Sequence, residues 1–209
     1  YNFILNKFVM RKILYLLLFC SVLLYKAQTN GVTQYTSSLS NIGVGNNGKF
    51  NSTINNLGEV FYFQYQTVSP YYPVLCKYAS GAVTSYTSSI ISTLFNPRLF
   101  SIGTDIWIIM CDQISFNSKL YKFDGTNFSD YTSLIFTSTG ITSFNCISKQ
   151  NSDILIGTNN GIVKLNGSTV SVLNTGNSTL LNDTINDIKS LNYSNVLVGT
   201  QNGLTTYNG

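Results

Sequence analysis

Glu59, Asp105 and Asp153 are where any hydrolytic reading of this chain begins, because each opens an apolar, strand-like run. Two carboxylates at a fixed separation could serve a glycosidase, one as the acid and one as base or nucleophile. Their recurrence argues for a different role, since a residue type that returns at one position of an internal repeat serves the repeat. Asp124 sits in a turn, and Asp183 with Asp187 lacks the alternating ligand spacing of a calcium loop. The chain has no histidine, which removes Ser-His-Asp and Cys-His catalysis and the commonest metal ligand. Neither a phosphate-binding loop nor a dinucleotide fingerprint follows any strand-like run. Cys76, Cys111 and Cys146 lie within apolar runs and form no Cys-x-x-Cys pair. They read as buried thiols, with one disulfide plus a free thiol as the alternative. The expectation is a protein that is not an enzyme and holds no cofactor and no metal.

The chemistry that remains is recognition. Tyr71 and Tyr72 stand between Pro70 and Pro73, and Phe116 stands beside Gln113 and Asn117. Prolines stiffen a loop, so the tyrosines would present flat faces to a sugar ring or to a partner's apolar surface at low entropic cost. The alternative is that these aromatics cover blade edges or pack on each other.

A repeat places these loops. The run 154–162, Ile-Leu-Ile-Gly-Thr-Asn-Asn-Gly-Ile, returns at 196–204 as Val-Leu-Val-Gly-Thr-Gln-Asn-Gly-Leu, an offset of 42 residues. Diverged copies start at Glu59 and Asp105, so unit starts at 59, 105, 153 and 195 are spaced by 46, 48 and 42 residues. Each unit alternates short β-branched or aromatic runs with turn residues; in the third the runs are 153–158, 162–165, 169–173 and 185–191. Asn-Gly supplies the positive φ angles of tight hairpins, so consecutive runs pair antiparallel. Four strands in such a period make one propeller blade. The fold class expected is all-β: a β-propeller of four-stranded antiparallel blades, about four present, as a fragment of a larger ring. The blades are drawn at 59–104, 105–152 and 153–194, with a composite of 195–209 and 30–57 closing the ring. From first strand to second-strand lysine the third unit takes 10 positions (Ile154 to Lys164), the second 16 (Ile106 to Lys122) and the first 17 (Val60 to Lys77). Two adjacent hairpins are thus lengthened, and they carry Tyr71, Tyr72, Gln113, Phe116 and Asn117. Equivalent loops of neighbouring blades emerge on one face, where repeat proteins often place binding.

Residues 1–28 read as upstream sequence and a secretory signal peptide: Arg11 and Lys12 precede an apolar stretch from Ile13 to Tyr25, and the polar chain begins at Lys26-Ala27-Gln28. That apolar stretch is 13 residues long, short of the ~20 that span a bilayer. Phe19 before Cys20 is too large for a lipid-attachment motif. The formal charge of +4 resides in this leader, because removing Lys7, Arg11, Lys12 and Lys26 leaves eight basic against eight acidic residues. A neutral propeller at 29–209 has no electrostatic footprint for nucleic acid. Charged residues are only 10% of the chain, against about 25% in an average soluble protein.

Residues 153–167 and 195–209 resemble the two-component regulator propeller repeat: an apolar run, Gly-Thr, Asn-Gly, an apolar residue and a closing Asn-Gly or Asp-Gly. The second unit shares Trp107 and Phe123-Asp124-Gly125 with the pattern but has Ile109-Met110 in place of Gly-Thr. The resemblance implies a periplasmic sensor region of hybrid histidine kinases or a related secreted protein. The function it implies is a non-catalytic, exported module that binds a small molecule, a glycan or a protein. The alternative is a secreted or cell-surface propeller, adhesive or accessory to a hydrolase.

Overall fold

Strands of three to nine residues pair antiparallel into four sheets. A computed structural model describes residues 52–65, 72–192 and 195–208. They belong to the packing unit 43–209. The expected leader, and residues 30–51 of the segment 30–57 expected to close the ring, lie outside the described residues, while 52–54 of that segment pair with β2 (Val60–Tyr65) in the first sheet.

In the first sheet β1 (Ser52–Ile54), β2 (Val60–Tyr65), β3 (Pro73–Ala79) and β4 (Ala82–Tyr86) follow one another in sequence order. The second repeats that order with β5 (Leu94–Ile102), β6 (Asp105–Asp112), β7 (Ser118–Phe123) and β8 (Phe128–Asp130). The third contains β9 (Cys146–Gln150), β10 (Asp153–Thr158), β11 (Gly161–Asn166) and β12 (Thr169–Leu173). The fourth has three strands among the described residues, β13 (Ile185–Ser190), β14 (Val196–Thr200) and β15 (Gly203–Tyr207). One short helix, α1 (Thr132–Thr139), interrupts the connection from β8 to β9. The first strands of successive sheets lie side by side: β5 packs against β1 and β9, and β13 against β9. These are all-β, propeller-type blades, and the described residues form no closed ring.

The sheets stack face to face, which explains why their central strands are apolar on both sides. Along β6 the alternating residues Ile106, Ile108 and Met110 enter one core with Phe61, Phe63 and Leu75 of the first sheet. The residues between them, Trp107 and Ile109, enter a second core with Ile156, Val163 and Leu165 of the third. A third core joins Leu155 and Ile162 to Ile188, Val196 and Val198. With a side-chain period of two, an uninterrupted run such as Ile-Trp-Ile-Ile-Met can fill both interfaces. Arg98 of β5 adds a polar tie, its guanidinium donating to the carbonyls of Phe144 (2.6 Å) and Asn145 (2.5 Å) in the segment that leads into β9.

The Gly-Thr-x-Asn-Gly motif is a folding device. Thr158 donates from Oγ1 to the Gly161 carbonyl (2.8 Å) and accepts from the Asn160 N–H (2.9 Å), closing the two-residue turn. Thr200 repeats both bonds with Gly203 (3.0 Å) and Asn202 (3.2 Å). Gly161 and Gly203 sit at φ +101° and +130°, where a side chain is strained. Gly157 serves packing instead, because a Cβ there would collide with Cys146 Sγ and lie 2.7 Å from Ile185 Cγ2 of the next sheet.

The sheets are phased one strand earlier than the repeat units. The run 185–190, expected as the fourth strand of the third unit, pairs with β14 of the next sheet. The place it was expected to fill, as a fourth strand, is taken at the other edge by β9, which hairpins onto β10 through Asn151 and Ser152. Chain reach explains this. Two residues permit only a hairpin, with Asn151 at φ +53°, whereas 174–184 is long enough to cross to a new sheet. Sheet bounds of 52–86, 94–130, 146–173 and 185–207 therefore replace unit bounds at 59, 105, 153 and 195.

Candidate recognition face

Glu59, Asp105 and Asp153 stand at or beside the starts of β2, β6 and β10, and in each sheet the β3-type strand places a lysine diagonally opposite. Lys77 reaches Glu59 at 3.0 Å, Lys122 reaches Asp105 at 3.4 Å and Lys164 reaches Asp153 at 3.2 Å. The recurring acid is thus one half of a cross-strand ion pair within its own blade. In the fourth sheet the equivalent residues are Asn195 and Thr206, with no charge on either side. Cys76 and Cys146 are buried and Cys111 is half-buried, all three as free thiols. Burial pushes the Cys146 thiol up to about 12, far from the thiolate a nucleophile needs.

The connections gather at one end of the sheets. Asn145 and Ser143, from the β8–β9 connection, hydrogen-bond Asn159 in the β10–β11 turn (2.8 and 3.3 Å). The Asp183 carbonyl, from the β12–β13 connection, accepts from Gly161 N–H (2.7 Å), and Thr142 C=O accepts from Ser118 N–H at the β6–β7 loop (3.0 Å). The β4–β5 connection occupies this end in the first sheet. The opposite end carries the short turns, among them Asn56 donating to the Gly103 carbonyl (3.1 Å).

Tyr72 lies on the connection face, 39% exposed, immediately before Pro73 opens β3. With Pro73, Thr87, Ser88, Ser89 and Ser92 it lines an open cleft of about 500 Å³. Hydrogen bonds shape the serine segment: Ser88 Oγ accepts from Ile90 N–H (3.3 Å), Ser92 Oγ donates to the Ser89 carbonyl (2.9 Å), and buried Ile91 anchors it below. One aromatic face beside four hydroxyls offers apolar contact and uncharged hydrogen bonding together. Tyr71 lies outside the described residues.

Gln113, Phe116 and Asn117 share the β6–β7 loop, beside Asp112 at its base. Phe116 stacks edge-on against Phe95 at the start of β5 (6.3 Å between ring centroids, 85°). Phe95 follows the 87–92 segment that walls the Tyr72 cleft, so both expected groups flank one connection. A second cleft of about 480 Å³, missed from the sequence, opens on the same face between Thr139 and Thr142 on one side and Asn160, Ser171, Asn174 and Asp183 on the other. Asp183 is already engaged by Thr175 through its N–H (2.7 Å) and Oγ1 (3.3 Å). No sequence signal pointed there, because one wall is built by helix α1 and the residues that follow it.

Similar solved structures have this architecture. Two structures of the extracellular domain of BT4673 from B. thetaiotaomicron, one described as a one component system and one as a hybrid two component system, superpose with TM-scores of 0.55 and 0.57. The blades are a propeller's. Identity is 16% in both cases, over 86% and 88% of this chain and 24% of the BT4673 chain. The chain therefore spans about a quarter of the length of the domain it matches. A third structure, PorZ of Porphyromonas gingivalis, a surface component of the type-IX secretion system, covers 85% of this chain and 34% of its own at 14% identity and a TM-score of 0.47. No family model matches the chain, and no curated protein matches it. No helix among the described residues is long and apolar enough to cross a membrane.

Proposed function

We propose that this chain is part of an exported, non-catalytic β-propeller module that recognises its ligand on the connection face, in the manner of the sensor regions of two-component regulators. The observation that carries this reading is the Tyr72 cleft, where an exposed aromatic ring and a serine-rich loop converge on the face that gathers the inter-sheet connections. Two considerations support a location outside the cytoplasm: the signal-peptide pattern of residues 10–28, and the extracellular setting of the BT4673 domain. A non-catalytic role accords with a chain that has no histidine and whose recurring acids are committed to lysines within their own sheets. The ligand is a small molecule, a glycan or a protein surface.

The test is a thermal-shift and calorimetric screen of residues 29–209, or the longer protein containing them, against small molecules, glycans and candidate proteins. Tyr72→Ala is expected to weaken the ligand found by about tenfold or more and to leave the melting temperature unchanged. Leu191→Ala, at the opposite end, is expected to change neither. A ligand whose affinity is the same for the wild type and Tyr72→Ala overturns the site, and its chemical conversion on incubation overturns the non-catalytic reading.

A further inference from the structure

Ile114 and Phe116 are the two most exposed large apolar side chains among the described residues, at 91% and 74%. They project from a loop that is held by its own hydrogen bonds. Asp112 Oδ1 accepts from the N–H groups of Ile114 (3.0 Å) and Ser115 (2.8 Å) and from Ser115 Oγ (3.0 Å). Phe116 N–H donates to the Asp112 carbonyl (3.1 Å), and Asp112 N–H donates to the Asn117 carbonyl (3.0 Å). Asn117 N–H reaches Ser115 Oγ (3.4 Å).

Phe116 is also held where a phenylalanine does not belong. Its φ is +57°, and the other non-glycine residues at positive φ are Ser80, Asn96 and Asn151, short polar types better suited to that region. Asparagine or glycine would make the same turn with less strain and no exposed ring. The sequence thus accepts a strained backbone at a ring that meets Phe95 edge-on yet stays largely exposed, a combination that marks functional sites. We propose that the β6–β7 tip is a preformed plug, with Ile114 and Phe116 entering an apolar pocket on a partner protein.

The tip itself defines the partner. Between Asp112 and Ser118 there is no charged residue, and Asp112 at the base of the loop turns its Oδ1 inward to Ile114 and Ser115, so the surface that receives the tip is apolar and uncharged. A second copy of this chain is not the partner: the two clefts described on the connection face carry hydroxyl or amide groups along their walls, which an apolar plug would bury unpaired. A lipid surface would call for cations beside the apolar pair, and the tip has none. A rigid aromatic and a rigid aliphatic in one small patch match the anchors that dominate protein interfaces.

The test places a photo-crosslinking benzoylphenylalanine at Ile114 in the full-length protein expressed in its native cells, with Leu191 on the opposite end as the control position. The expected result is one protein adduct specific to Ile114, with the crosslinked peptide mapping to an apolar pocket of the partner. Binding of that purified partner is then expected to weaken about tenfold or more in Ile114→Ser and again in Phe116→Asn. Phe116→Asn suits the positive φ, so it is expected to fold with an unchanged or higher melting temperature, which separates lost binding from lost structure. An adduct to a second copy, an adduct to lipid, no adduct above the Leu191 control, or a partner whose affinity survives both substitutions overturns the proposal. Because Tyr72→Ala leaves this tip intact, failure here is distinguishable from failure of the Tyr72 cleft.

Discussion

At the scale of single residues, two glycines in equivalent motif positions have different reasons to be glycine. A Cβ on Gly157 meets Cys146 and Ile185, whereas a Cβ on Gly199 finds only the Asp187 backbone, at 3.7 Å. Gly157→Ala is expected to lower stability by about 2 kcal/mol or more through overpacking, and Gly199→Ala by less than about 1 kcal/mol; urea denaturation of the two variants side by side checks this. Glu59 makes a second residue-scale case. Hydrogen bonds from Lys77 and then Asn55 hold its carboxyl below the ordinary value of 4.5. A carboxylate depressed on folding adds stability that is present above its ordinary value and lost as pH falls through the folded one. Glu59→Gln is therefore expected to lower the melting temperature at pH 7 and to narrow its gap from wild type as pH falls below about 4.5, a contribution of about 0.5 kcal/mol for so accessible a pair.

At the scale of elements, the helix α1 separates what the sequence shows from what the fold decides. Residues 131–139, Tyr-Thr-Ser-Leu-Ile-Phe-Thr-Ser-Thr, are rich in β-branched and aromatic types and carry no helical signature. The helix forms because Ile135 is buried in the core between the second and third sheets and Gly140 closes the last turn at φ +73°, its N–H bonding the Phe136 carbonyl. Ile135→Ala is expected to cost about 2–4 kcal/mol, with a loss of near-ultraviolet signal from the Trp107–Tyr131 pair, whose rings lie 4.9 Å apart. The strands were far more legible than this helix, since Asn-Gly turns and apolar runs depend on neighbours in sequence. Strand membership was legible only in part, because edge pairing depends on connection length as well as on each run's composition. Among the candidate site residues, Tyr72 and Phe116 were visible as aromatics in lengthened hairpins. The serines facing Tyr72 were not, since a polar loop gives no sign of which neighbour it will meet.

At the scale of the whole molecule, the fourth sheet shows how the stacking of blades and their edges bear on association. Among the described residues β15 has a partner on one side only, and its Leu204 is 62% exposed. An open strand edge bearing an apolar side chain is a template for pairing with another chain. In residues 29–209 taken by themselves, Leu204→Lys is expected to reduce concentration-dependent association, measured by light scattering, while changing stability by less than about 0.5 kcal/mol. The one-strand offset between repeat and sheet has a consequence for how such a protein can be divided. A break in the β9–β10 turn, at 151–152, falls on a repeat boundary yet splits a sheet, leaving β9 on one fragment and its three partners on the other. A break within 174–184 falls inside a repeat yet leaves each sheet whole. Halves joined after the second kind of cut should reassemble by docking finished faces, while halves from the first must exchange a strand to do so, tying each blade to the chain before it like a dovetailed joint.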